Sequence, residues 1–240
     1  MNDDALTRME NLLKSGVSAD KVLQDMINYL RGDPVPQEAD TSLEEMIDDF
    51  LDVGEKSEEC FNTIEKIYYE LHEGIFFGIK ASYDYVRKKY SREFKDFDST
   101  SINRIISGLD ENNYYKSVIL ACAINYSYLD EIVISKNVSK LDELAYRFGE
   151  NGINKKLIVE GDVGNNLGIK MSGGEIYVKG NVNENCGSGM SGGTIHIEGK
   201  ASWSCGEDMY GGEITVDGEI VGPIGKNKIG GKIINKGKVY

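Results

Sequence analysis

Apolar side chains in the last ninety residues return every nineteen positions, always in the same phase. Leu157, Ile176, Ile195, Ile214 and Ile233 form one column, and Val159, Val178, Ile197 and Val216 form another two residues later. A step of two places both columns on one face of a strand, with Ile158, Tyr177, His196 and Thr215 turned outward between them. Further inward columns are expected from Val163, Val182, Ala201, Ile220 and Val239, from Leu167, Cys186, Cys205 and Ile224, and from Met171, Met190 and Met209. Glu160, Lys179, Glu198, Asp217 and Lys236 make an outer column of mostly alternating sign, which favours stacking.

Glycine keeps the same step, at Gly161, Gly180, Gly199, Gly218 and Gly237 and again at Gly168, Gly187, Gly206 and Gly225. The doublets Gly173-Gly174, Gly192-Gly193, Gly211-Gly212 and Gly230-Gly231 follow it too. Glycine is needed where the chain takes positive φ or turns too sharply for a Cβ. One coil cannot bury its own apolar face, but coils stacked about 4.8 Å apart bury the columns as ladders. The pattern therefore predicts a right-handed parallel β-helix over residues 151–240, built from nineteen-residue coils.

Upstream the period changes to that of helices. Leu6, Met9, Leu12 and Leu13 make one stripe ended by Gly16, and Val22, Leu23, Met26, Ile27 and Leu30 make a second, capped by Ser18. The run 33–41, with Pro34 and Pro36, reads as a linker. Ser42-x-x-Glu45 is a capping box that opens a third helix through Leu51. A long helical pattern starts at Ser57 and runs through Ile64, Ile67 and Leu71, weakened at Gly74 and Gly78. Further helices are predicted over 100–107, 113–127 and 140–148. The expected organisation is an all-α domain over 1–150 (a hairpin 1–32, the linker, then a bundle 42–150) followed by the β-helix, an α+β multidomain chain.

Charge sharpens that boundary. The net charge is −13. Residues 151–240 carry equal numbers of acidic and basic side chains, so the excess lies in 1–150. An acidic chain is a poor partner for nucleic acid or an anionic membrane, both polyanions. No run of eighteen apolar residues suggests a membrane span. The four cysteines, widely spaced and without a CxxC pair, suggest reduced thiols in a cytoplasmic protein.

Gly161-x-x-Gly164-x-x-x-Gly168, with the Met-Ser-Gly-Gly turns at 171–174 and 190–193, resembles the glycine-repeat β-helix that forms the C-terminal domain of the glutamate synthase large subunit. A non-catalytic component of formylmethanofuran dehydrogenase is similar. The resemblance covers residues 152–240, and Asn183, Ser202 and Val221 replace the middle glycine in later coils. It implies a non-catalytic element that spaces and joins catalytic parts or subunits. The amidotransferase, flavin and iron–sulfur regions of glutamate synthase are absent from this sequence, which excludes a self-sufficient synthase.

Two motif matches carry little weight. Gly189-Met190-Ser191-Gly192-Gly193 fits the G-x-S-x-G pattern, which requires a strand-to-helix elbow; the same turn recurs at 170–174 and 208–212 without a serine requirement. Gly187-x-Gly189-x-x-Gly192 fits a dinucleotide fingerprint, with no helix to follow it. His72 and the tyrosines Tyr68, Tyr69, Tyr83 and Tyr85 read as packing residues, and Cys186 and Cys205 as neighbouring thiols in one ladder.

No catalytic, cofactor-binding or metal-ligating residue is expected. Gly161, Gly164, Gly168, Gly180, Gly187, Gly199, Gly206, Gly218 and Gly225 are expected to be structural. The helical domain should cover the coil near Leu157, whereas the far end lacks an obvious cap. Trp203, Ile233, Val239 and Tyr240 are therefore the candidate interface, for a protein partner or a second copy. The functional expectation is a non-catalytic assembly subunit or adaptor. The alternative is an accessory subunit of a glutamate synthase-like or formylmethanofuran dehydrogenase-like oxidoreductase complex, and a stand-alone serine esterase ranks below both.

Overall fold

The structure, a computed structural model, describes residues 60, 62–64, 66–68, 70–71, 79–108 and 114–240. The predicted hairpin 1–32, the linker 33–41, the first part of the bundle and His72 lie outside the described residues.

Six parallel strands run in chain order: β1 (Glu131–Ile134), β2 (Lys156–Val159), β3 (Glu175–Val178), β4 (Thr194–Ile197), β5 (Glu213–Val216) and β6 (Lys232–Asn235). The register is residue on residue, Leu157 on Ile176, Ile195, Ile214 and Ile233 in turn. The sequence repeat is thus the coil of a parallel β-solenoid, and both columns read from it are buried. Val163, Val182, Ala201 and Ile220 bridge one another as a second ladder.

Between these ladders the chain turns through three alternate residues of positive φ, such as Asn166, Gly168 and Lys170, or Asn185, Gly187 and Gly189. The alternation points successive N–H groups to opposite neighbours. Asn166 donates forward to the Glu184 carbonyl (2.7 Å), Gly168 back to Leu144 (2.9 Å) and Lys170 forward to Ser188 (2.8 Å). The corner is therefore paired although it is not a strand. At the middle residue space is short as well, since a Cβ on Gly187 would stand 2.5 Å from Ile214 Cδ1.

The solenoid begins one coil earlier than the boundary near 151. β1 pairs with β2 in parallel, Ile132 on Leu157 and Ile134 on Val159, and Val138 bridges Val163. Glu143, Ala145 and Arg147 repeat the positive-φ corner, with φ of 61°, 61° and 56°. Such angles exclude a right-handed helix, so the helix predicted over 140–148 is absent. This first coil is longer than nineteen residues. The excess falls after Val138 and again after Gly149, where the chain bulges before Lys155 regains the register.

Helices pack against this first coil: α1 (Ile79–Tyr90), α2 (Ser99–Gly108) and α3 (Tyr114–Tyr126), with a 3-10 turn at Glu93–Asp96. Residues between 60 and 71 are also helical where described. α2 and α3 match the predicted helices over 100–107 and 113–127. Val118 to Ile124 of α3 are all fully buried, as expected of a helix apolar on every side. Asp98 caps α2, accepting from the Ser101 N–H at 2.7 Å. Lys155 closes α3, donating to the carbonyls of Ile124 (3.3 Å) and Ser127 and to Ser127 Oγ (3.2 Å). The coil near Leu157 is covered by another coil, and the helices cover β1 instead.

At the other end the chain reverses. Lys236 and Gly237, at φ 49° and 79°, turn β6 into β7 (Lys238–Val239), which pairs antiparallel with it. Val239 is consequently 59% exposed and does not belong to the inward column. The end expected to lack a cap has one.

Candidate functional site

The far end of the solenoid is built by departures from the repeat. The Phe148–Met171–Met190–Met209 column, buried throughout, ends in Lys228, whose Nζ donates to the Gly231 carbonyl at 3.0 Å. The Val159–Val178–Ile197–Val216 column ends in Asn235, whose Nδ2 donates to the carbonyls of Val216 and Gly218, each at 2.8 Å. Pro223 takes the place of Asn166 and Asn185, whose N–H groups bond forward to the next coil. Among the described residues no coil follows there, and proline has no N–H to leave unpaired. Lysine, asparagine, proline and a hairpin close the edge against a further stacked coil.

Exposed positions change in the opposite sense. Ser172 and Ser191 occupy one surface column in the earlier coils; its later members are Tyr210 and Ile229, 60% and 77% exposed. Asn183 and Ser202 give way to Val221, and Glu184 to Trp203. Of the eight large apolar side chains exposed among the described residues, six lie between 203 and 240. Trp203, Val239 and Tyr240 of the expected interface belong to this group. Ile233 does not, because it is fully buried in the core column. Tyr210, Val221 and Ile229 escaped sequence reading, although each stands out in its own column.

A polar junction joins the helices to the first coil. Glu150, on the bulge after Gly149, accepts from Tyr83 (2.7 Å) and Tyr126 (2.9 Å) through Oε1, and Arg147 Nε lies 3.0 Å from its Oε2. Asn125 donates to Tyr83 Oη (2.9 Å) and to the Tyr146 carbonyl (3.1 Å), and accepts from the Gly149 N–H (3.1 Å). Burial pushes the Tyr83 hydroxyl far above the usual tyrosine range, and burial with the Glu150 bond pushes Tyr126 up to about 12. Both tyrosines are therefore donors at any physiological pH. The arrangement holds α1, α3 and the coil together.

The remaining candidates are structural in geometry. Ser191 lies in an exposed turn that leads into strand β4, not into a helix, and its hydroxyl is 3.4 Å from the Met171 carbonyl. His196 Nε2 is engaged with Asp217 at 2.8 Å on the outer face. Cys186 and Cys205 are fully buried free thiols; the hydrogen bond between them, and burial, raise the Cys186 pKa. The glycines fall into two kinds: the Gly168 column has positive φ, whereas Gly161, Gly164, Gly180, Gly199 and Gly218 lie too close to the preceding coil's backbone for a Cβ. Among the described residues no group of three or more His, Cys, Asp or Glu side chains could hold a metal ion, and no helix is long and apolar enough to cross a membrane. Comparison with known protein families, with curated proteins and with solved structures finds no match for this chain.

Proposed function

We propose that this chain is a non-catalytic assembly subunit that joins other protein through the last two coils of its solenoid. One observation carries the reading: apolar side chains replace serine, asparagine and glutamate at surface positions of those coils alone, in columns whose earlier members are polar. Exposed apolar side chains mark a contact site where they lie together on a surface. At β6 the hairpin leaves strand addition no free ladder to join.

The glycine pattern that resembles the glutamate synthase and formylmethanofuran dehydrogenase domains supports a more specific second reading. In it, the assembly is an oxidoreductase or amidotransferase complex to which this chain is accessory.

The test is a tagged pull-down from the native host, with mass spectrometry, on the native chain and on Tyr210→Ser/Ile229→Ser. The expected result is stoichiometric recovery of protein with the native chain (foreign subunits or untagged copies) and its loss with the variant. Equal recovery with both would move the contact elsewhere. Recovery of redox or amidotransfer subunits would select the second reading.

A further inference from the structure

The end of the solenoid carries charge of one sign only. Residues 222–240 contain Lys226, Lys228, Lys232, Lys236 and Lys238 and no aspartate or glutamate, in a chain of net charge −13. Lys228 is held by the Gly231 carbonyl, and Lys226 leans back to Glu207 at 3.2 Å. Lys232, Lys236 and Lys238 are exposed around the hairpin, with Lys238 over the Tyr240 ring at 4.5 Å. Two backbone donors point the same way. The forward N–H bonds of Val163, Val182 and Ala201 reach the next coil, and those of Lys170, Gly189 and Asp208 do likewise. At Ile220 and Asn227 the hairpin has ended the solenoid, and among the described residues no coil lies ahead to accept. This end thus combines cations, N–H donors and the exposed Ile229, Val221 and Val239.

Such a surface fits a segment that alternates carboxylates with apolar side chains. The chain contains one. Residues 1–59 carry sixteen acidic and five basic side chains, and residues 42–52 read Ser-Leu-Glu-Glu-Met-Ile-Asp-Asp-Phe-Leu-Asp, with acids and apolar residues in alternating groups. We infer that the basic end of the solenoid of one copy receives residues 42–52 of a second copy, so that the chain self-associates head to tail. This inference rests on the assembly reading and names its surface and partner. The surface and the segment differ, so the contact is heterologous and gives a ring or an open chain of copies rather than an isologous pair.

The test is a charge exchange on the full chain, read by sedimentation velocity at about 0.01 M and about 1 M salt, where the screening length falls from about 30 to about 3 Å. The native chain is expected to associate at low salt and to dissociate at high salt. Lys232→Glu/Lys236→Glu/Lys238→Glu should weaken association by on the order of tenfold or more. Glu44→Lys/Glu45→Lys/Asp48→Lys/Asp49→Lys should do the same. An equimolar mixture of the two variants should recover association, because each supplies what the other lacks. A misfolded variant could not give that recovery, and circular dichroism checks each one alone. A native chain that is monomeric at every concentration would overturn the proposal, as would association indifferent to salt and to both variants. In the first case, capture of a foreign subunit that depends on Tyr210 and Ile229 would leave the assembly reading standing. In the second, the assembly reading would stand with a different contact. Monomer without any captured protein would remove both.

Discussion

Asn103 on α2 donates its side-chain amide to the carbonyl of Val133 on the edge strand β1 at 2.8 Å, and Ser99, one turn earlier, accepts the Val133 N–H at 3.3 Å. These are the backbone groups that a preceding coil would have used. An unpaired strand edge invites further pairing, and here two side chains of one helix satisfy it. The strand ladder from β1 to β6 is thus closed at both ends by its own chain, with a helix at β1 and a hairpin at β6.

Replacing Asn103 by alanine leaves the Val133 carbonyl without this donor in a partly buried place. The expected cost is about 1–3 kcal/mol in chemical denaturation. Ser99→Ala should cost less, given the longer bond. Unchanged stability for Asn103→Ala would mean that water closes the edge.

Glu150 holds two tyrosine hydroxyls and the guanidinium groups of Arg147 and, at 3.9 Å, Arg87, so Glu150→Ala removes four partners at once. Hydrogen exchange should quicken in α1 and α3, and stability should fall by about 2–4 kcal/mol on the scale of charged hydrogen bonds. Tyr83→Phe, which removes the bond to Glu150 and the one accepted from Asn125 but leaves the carboxylate with its other partners, should cost less than that. Equal effects of the two would show that the carboxylate is not the hub.

Stability should rise with pH through two groups of opposite charge, in two separate windows. Hydrogen bonds from Lys89 and Tyr90 lower Glu70 to about 2 from its usual 4.5. Between these values the unfolded chain binds more protons, so this contribution is full above 4.5 and is lost as pH falls towards 2. Burial lowers Lys155 to about 8 from 10.5, opposed by the charge of Asp130. Here too the unfolded chain holds the extra proton, so stability rises as pH increases from 8 to 10.5. Denaturation midpoints across both windows check this, with Glu70→Gln flattening the acid limb and Lys155→Met the alkaline one.

Cys60, Cys122, Cys186 and Cys205 are all buried and outside any disulfide. The native chain should leave a thiol reagent unconsumed until denaturant is added, when all four react. Rapid modification of Cys186 or Cys205 without denaturant would contradict the packing of their column.

The coils from Lys156 onward were legible because every inward column keeps a nineteen-residue step. The coil before them was hidden by its extra residues. Leu144 and Phe148 extend the Leu167 and Met171 columns, but the insertion around Glu150 shifts them out of phase, and their four-residue spacing then imitates a helix. Val239 misled for the converse reason. Lys236-Gly237 falls in phase with Lys179-Gly180, yet the earlier glycines mark close approach of coils while Gly237 sits in a hairpin turn at positive φ. The lysine-rich flank was the available signal of a closing edge. The exposed apolar side chains were half visible: Trp203 is conspicuous by size, whereas Tyr210 and Ile229 become so only against Ser172 and Ser191.

The most direct test of the assembly reading is hydrogen–deuterium exchange of the full chain, diluted to monomer and in its native assembly. The account predicts new protection on assembly over 203–210, 219–229 and 238–240, with the first coil unchanged. Protection confined to the helices and the first coil, or the absence of any assembly to compare, would contradict it.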